Sequence, residues 1–139
     1  METAISVQNV MSTNGYLSTM KVDTDEQKAL YYNATSNPDY RLADCINKTI
    51  LAKDLFIEMI EMEKKDKDGN PTGDMDIVPR VVIIDVQGKS YTAVSYGVYN
   101  ALKRLCMVYG MPTWDKGIPL TVMQINKGTN RMMTIKVQN

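Results

Sequence analysis

The sequence predicts a mainly β fold with some helix (α+β), on three observations. Short runs rich in β-branched residues are separated by turn residues along most of the chain. Only two stretches carry clear helix signals, one in each half of the sequence. The 139 residues, of which 44% are hydrophobic, fit a single core. We therefore predict one domain over residues 16–139, with an N-terminal extension (16–48) and a loose arm (1–15) before it.

The N-terminal extension begins with a predicted strand and continues as a helix. Residues 16–22 alternate well enough for a short strand. Asp23 and Thr24 are N-cap candidates for the helix, and acidic residues in its first turn suit the helix dipole. Asn37 precedes a proline, which disfavours the α conformation and ends the helix. Residues 41–47 fit either a helical turn or a connection, and both interpretations stay open.

Three strands are predicted in the middle of the chain. Residues 49–62 do not keep a strict alternation, and a long strand with a bulge explains this, because one extra residue exchanges the two faces. A helix is the alternative here. Turn residues over 64–76 lead to an apolar strand at 77–87. A tight turn at 88–89 precedes the third strand at 90–94.

The clearest helix covers residues 96–109, with Ser95 as N-cap and Gly110 after the last turn. Two strands follow at 118–126 and 131–137. From the bulged strand onward the order is strand, strand, strand, helix, strand, strand. That order is expected of an OB-like five-stranded barrel with a helix between strands 3 and 4. One helix face is predicted to be buried, and it carries Tyr99, Leu102, Cys106 and Tyr109.

The composition argues against catalysis. The chain has no histidine, the commonest general base and metal ligand. Partial matches to a calcium loop (66–77) and a P-loop (83–90) lack the glycine or glutamate that those motifs require. Cys45 and Cys106 are predicted to be reduced, buried thiols. With no signal peptide pattern and no membrane-length apolar run, we expect a cytoplasmic, non-enzymatic protein that needs no cofactor or metal.

Charge is balanced overall but unevenly distributed. Sixteen basic and sixteen acidic residues cancel. Between Glu58 and Asp76, however, seven acidic residues stand against three lysines, a local charge of −4 that leaves +4 on the remaining chain. A basic surface can therefore coexist with zero net charge.

Aromatic and basic residues together suggest binding to single-stranded DNA. Bases stack on flat side chains, at about 1–3 kcal/mol per base, while cations follow the phosphates. In an OB-like barrel the ligand crosses strands 2 and 3 and is held by the loops between strands 1 and 2 and strands 4 and 5. The candidate DNA-binding residues are Tyr40, Arg41, Lys53, Phe56, Arg80, Lys89, Tyr91, Trp114, Lys116, Lys127 and Arg131. For Phe56 a place in the core is the alternative, and Trp114 fits equally well as a lid over the barrel end.

Four segments resemble the small single-stranded DNA-binding proteins encoded by bacteriophages and mobile elements of Gram-positive bacteria. They are NPDYRLAD (37–44), SYGVYNALK (95–103), GMPTW (110–114) and KGTNRMMTIK (127–136). The likeness spans residues 16–137 and implies that the protein coats DNA single strands during phage replication, recombination or repair.

The sequence departs from many replicative proteins of this kind because it does not end in an acidic tail. The acidic segment 58–76 is then the candidate for recruiting replication or recombination proteins. Self-association into a homo-oligomer stays open. The alternative function is a small phage protein-interaction module that inhibits a host or defence factor.

Overall fold

A computed structural model describes residues 16–128 and 130–138, with the backbone only for Tyr16, Lys127 and Asn130. The predicted arm (1–15) lies outside these residues. The described chain contains, in order, β1 (Tyr16–Ser18), α1 (Asp25–Ser36), β2 (Tyr40–Arg41), a 3-10 turn (Leu42–Asp44), β3 (Thr49–Lys65), β4 (Pro71–Asp85), β5 (Ser90–Val94), α2 (Tyr96–Tyr109), β6 (Ile118–Lys127) and β7 (Asn130–Val137).

All these strands belong to one sheet with the order β2-β5-β4-β3-β6-β7, and β1 also pairs with β3. Strand β3 is central because it pairs with β4 along most of one edge and changes neighbour on the other. There it pairs first with β6, over Thr49–Ala52, and then with β1, over Phe56–Glu58. The sheet curls into a half-barrel, consistent with an OB-like barrel. The prediction of a mainly β protein is confirmed.

The long strand β3 contains the predicted bulge, and the helix alternative for this segment was wrong. The register of β3 against β4 shifts between Ala52 and Asp54. The buried Asp54 carboxylate accepts hydrogen bonds from the hydroxyls of Thr19 (2.8 Å) and Thr113 (2.6 Å). The bulge therefore ties the chain after β1 to the loop between α2 and β6.

Several predicted boundaries differ from the structure. The first strand ends at Ser18 rather than residue 22, and the hydroxyl of Thr19 instead accepts a hydrogen bond from the Leu55 amide (3.0 Å). The undecided segment 41–47 contains a 3-10 turn. The turn predicted over 64–76 is shorter, because the Asp66 carboxylate accepts from the amides of Asp68 and Asn70 and closes it.

Residues 61–77 therefore form a two-stranded β-ribbon rather than a loop, and every residue in it is exposed. We call this segment the distal ribbon. It holds all the acidic residues of the predicted acidic segment except Glu58.

Two apolar clusters pack on opposite sides of the sheet, since neighbouring side chains of a strand point to opposite faces. The inner cluster joins Leu55, Ile57 and Ile83 to Val98 and Leu102 of α2. The outer cluster joins Phe56, Val82 and Ile84 of the sheet to Ala34 and Tyr31 of α1.

The two helices begin as predicted. Thr24 caps α1 in a capping box with Gln27, and the Ser95 hydroxyl caps α2. One expectation was wrong: Tyr109, predicted to be buried, is 51% exposed, and its neighbours Met107 and Val108 in the last turn of α2 are exposed as well. Cys45 and Cys106 are unpaired and buried as expected, and burial raises the pKa of the Cys106 thiol to about 11.

Candidate nucleic-acid interface

Two tyrosines form a stacked pair at the edge of the sheet. Strand β2 pairs with β5 in parallel and places Tyr40 opposite Tyr91. Their ring centroids lie 5.1 Å apart, with 25° between the ring planes. Tyr40 lies on the edge strand β2 and is 47% exposed, whereas Tyr91 on β5 packs against the inner cluster. The Tyr40 ring is therefore supported on one face and open to solvent elsewhere.

Asp85 holds this pair and the neighbouring turn in place. Its carboxylate is buried and accepts a hydrogen bond from the Tyr91 hydroxyl at 2.9 Å. It also accepts from the backbone amides of Gln87 and Lys89. Burial first, and then the hydrogen bond from Tyr91 to Asp85, raises the pKa of Tyr91 well above its usual range, so its hydroxyl remains a donor. The ring pair and the exposed Lys89 thus share one anchor.

Two of the predicted DNA-binding arginines line one small pocket of about 320 Å³ between β5 and β7. Arg41 and Arg80 line it together with Thr92 and Met133. Arg41 is exposed and pairs with Asp44 at 3.1 Å, a surface ion pair that contributes little stability and leaves the guanidinium accessible to an anion.

Arg80 is more constrained than Arg41. It is half-buried, pairs with Glu58 at 2.9 Å and donates to the Thr35 carbonyl at the end of α1 at 2.6 Å. In the β4–β5 ladder Arg80 lies opposite Val94 and therefore on the same face as Val94. Tyr91 is three residues before Val94 on β5, an odd number, so Arg80 and Tyr91 lie on opposite faces of the sheet. Arg80 and Tyr91 therefore do not form one continuous surface, although the sequence predicts both on the strands that the ligand crosses.

The two other predicted platforms are buried. Phe56 is 6% exposed and meets the Tyr31 ring edge-on at 5.9 Å between centroids. Trp114 is 9% exposed, and its indole nitrogen donates to the Gly110 carbonyl at 3.1 Å. This burial favours the alternatives of a core residue for Phe56 and a lid for Trp114. Lys53 lies next to the lid, since its carbonyl accepts from the Trp114 amide.

The remaining predicted cations lie in loops and hairpins. Lys116 is exposed in the loop that follows Trp114, and Arg131 is exposed on β7 opposite Asn126. Lys127 ends β6, and its side chain is outside the described part of the chain. Among the described side chains, three exposed rings were not among the candidates: Tyr32, Tyr96 and Tyr109. The anchor Asp85 was also missed, although its position three residues before Gly88 is a signal for an Asx-type turn.

Among the described residues, no cluster of three or more His, Cys, Asp or Glu side chains is arranged to hold a metal ion. No helix in the same residues has the length and apolarity needed to cross a membrane.

A family model described as "Phage Single-stranded DNA-binding protein" matches residues 10–138. No curated protein and no solved structure matched the chain.

Proposed function

Because the chain belongs to the phage single-stranded DNA-binding protein family, a non-enzymatic DNA-binding family, we propose that it coats and protects single-stranded DNA during phage replication or recombination. It acts without an enzymatic activity of its own, in the cytoplasm of a bacterial host, for which we propose a Gram-positive species. One observation carries the binding mode: the exposed Tyr40 ring, stacked on Tyr91 beside Arg41 and the Lys89 turn.

In the proposed mode a base stacks on the open face of Tyr40. Tyr91 supports the ring from behind, and Asp85 keeps Tyr91 from turning. Stacking uses the π-face that every base has, so it gives little sequence preference. Lys89, exposed in the neighbouring turn, binds an adjacent phosphate with release of counterions. Arg41 follows Tyr40 on β2 and pairs with Thr92, so it lies on the opposite face of this edge, where it binds a phosphate further along the strand.

The path of the DNA follows from which surfaces are covered. We propose that β3 to β7 with α2 form an OB-like five-stranded barrel, and that residues 16–139 are one domain. In such barrels the ligand crosses the second and third strands. Here α1 covers Val82 and Ile84 on the outer face of β4, which supports a path along the β2–β5 edge instead. Arg80, Lys53, Lys116, Lys127 and Arg131 are then outlying phosphate contacts, and the buried Phe56 and Trp114 support the fold around the path.

The distal ribbon has the wrong charge for DNA. Its acidic side chains repel phosphates, and we propose that it contacts proteins instead, including replication or recombination proteins. Should the protein fail to bind DNA, this exposed ribbon favours the second candidate function, a phage protein-interaction module that inhibits a host or defence factor.

A titration of labelled oligo-dT tests the proposal, followed by fluorescence anisotropy at several salt concentrations. We expect Tyr40→Ala to weaken binding about 5- to 150-fold, which corresponds to the loss of one stacked base. Tyr40→Phe keeps the ring and should bind like the wild type. Tyr32→Ala is the matched control, because Tyr32 is 64% exposed on α1.

Two outcomes would contradict the proposal at different levels. Wild-type affinity in Tyr40→Ala would remove the stacking site while leaving DNA binding intact. No binding of oligo-dT at low salt would remove the proposed function itself.

A further inference from the structure

A groove of about 570 Å³ lies between α2 and the β6–β7 hairpin. Its lining is largely apolar and includes Gly97, Ala101, Arg104, Val108, Ile125 and Met132. Val108 is 73% exposed, Met132 44% and Ile125 42%. Exposed apolar side chains that line a concave groove are typical of sites where another molecule binds.

The groove lies in a strongly basic part of the chain. The three elements that form it, α2, β6 and β7, contain no acidic residue. They contain five basic residues, namely Lys103, Arg104, Lys127, Arg131 and Lys136. None of the residues that line the groove is aromatic, so it offers no platform on which a base could stack. An apolar polypeptide segment with negative charge matches it better than DNA does.

The distal ribbon has this complementary chemistry. In the β3–β4 ladder Glu61 pairs with Ile77 and Glu63 pairs with Met75. These four residues lie on one face of the ribbon, because positions two apart on a strand point the same way. Ile77 is 55% exposed and Met75 is 56% exposed. The ribbon thus presents two apolar side chains beside two carboxylates.

We propose that the distal ribbon of one copy of this protein docks in the α2 groove of a second copy. Ile77 and Met75 enter the groove, and Glu61 and Glu63 meet Arg104, the basic residue in its lining. A copy does not fill its own groove, because its ribbon is exposed from residue 61 to 77. Ile77 lies at the ribbon base, where its carbonyl accepts a hydrogen bond from the Tyr96 hydroxyl at the start of α2.

The two surfaces are different parts of the molecule, so the contact is head-to-tail. Head-to-tail contacts that do not close into a ring generate open rows of copies. On a DNA single strand such a row makes coating cooperative, a consequence that rests on the proposed function. The self-association itself does not depend on DNA.

Sedimentation velocity of the full chain without DNA tests the docking. The wild type should sediment faster as its concentration rises, and added salt should reduce this effect. The groove variant Val108→Glu and the ribbon variant Met75→Thr/Ile77→Thr should each associate more than about tenfold more weakly, the former through like-charge repulsion. All three positions are exposed, so the fold should survive, and Val108→Ala gives a milder groove variant. Tyr32→Ala on α1 is the matched control and should associate like the wild type.

Mixing the two defective variants gives the decisive result. One still has an intact ribbon and the other an intact groove, so an equimolar mixture should form a 1:1 dimer that grows no further. A wild type that stays monomeric at every concentration, variants that associate like the wild type, or a mixture that stays monomeric would each overturn the proposal.

DNA binding is measured separately, on an oligo-dT short enough to hold one copy. Both variants should bind it with wild-type affinity. Weaker binding by Val108→Glu with unchanged self-association would make the groove a DNA site and overturn the proposal. Failure of every protein to bind the oligonucleotide would count against the proposed function and not against the docking.

Discussion

The two halves of the β3–β4 hairpin share one ladder, but buried side chains occur in only one of them. In the proximal half (residues 49–60 and 78–85), Leu55, Ile57, Val81 and Ile83 are fully buried. In the distal ribbon every residue is exposed, although the pairing continues from Ile60 opposite Val78 to Lys65 opposite Pro71. The halves differ in what covers them. Proximal strands have further strands at their edges and helices on their faces, whereas the ribbon has only its own two strands. Backbone pairing and core formation are therefore separable in this molecule.

The largest difference should appear when an apolar side chain is truncated in each half. Ile83→Ala leaves a cavity in the inner cluster and should lower the free energy of unfolding by about 2–5 kcal/mol. Met75→Ala on the exposed ribbon should change it by less than about 0.5 kcal/mol. Urea unfolding followed by circular dichroism measures both, at a protein concentration too low for the self-association proposed above. Equal losses would mean that the ribbon is packed against something in solution.

An intermediate effect is expected at the junction of the two halves, where Arg80 joins Glu58 to the end of α1. Arg80→Ala leaves the Glu58 carboxylate and the Thr35 carbonyl without this donor and should cost about 1–3 kcal/mol. A double-mutant cycle with Glu58→Ala isolates the contribution of the ion pair. If Arg80→Ala lowered DNA affinity and left stability unchanged, Arg80 would be a phosphate contact and not a structural residue.

A small effect on stability is also expected when most of the ribbon is removed. Replacing residues 64–74 by Asn-Gly joins Glu63 and Met75, which are paired, through a two-residue hairpin turn. The free energy of unfolding should change by less than about 1 kcal/mol, because no buried side chain is lost. Affinity for a single-site oligo-dT should stay at the wild-type level, while binding of partner proteins should be lost. Partner binding that persists would place the protein contact elsewhere.

Local signals in the sequence predicted most of the elements. The capping residues Thr24 and Ser95 and the stop at Gly110 located both helices, because these signals depend on neighbouring residues alone. The bulge near Asp54 was visible as a change of phase. The pairing of Tyr40 with Tyr91 was not predictable, because it joins residues far apart in the sequence through a strand of only two residues.

The candidate site was predicted only in part, for a related reason. Residue type placed Phe56 and Trp114 among the stacking candidates, but type does not say which face of the sheet is covered. Helix α1 lies over the outer face and buries Phe56, and the loop after α2 closes over the inner cluster with Trp114. The ribbon was mistaken for a loop, because its composition of Gly, Pro and charged residues is typical of turns while its length comes from the continuing ladder.

The Asp66 turn that closes the ribbon is also a place where the chain should tolerate cleavage or an insertion. Lys64, Lys65 and Lys67 are exposed around this turn, and the side chains nearby are exposed as well. A nick there leaves β3 and β4 paired along the whole proximal half, so the two fragments remain one folded particle. The tip is thus the natural place for new chain ends or an inserted domain, with the Tyr40 edge left untouched.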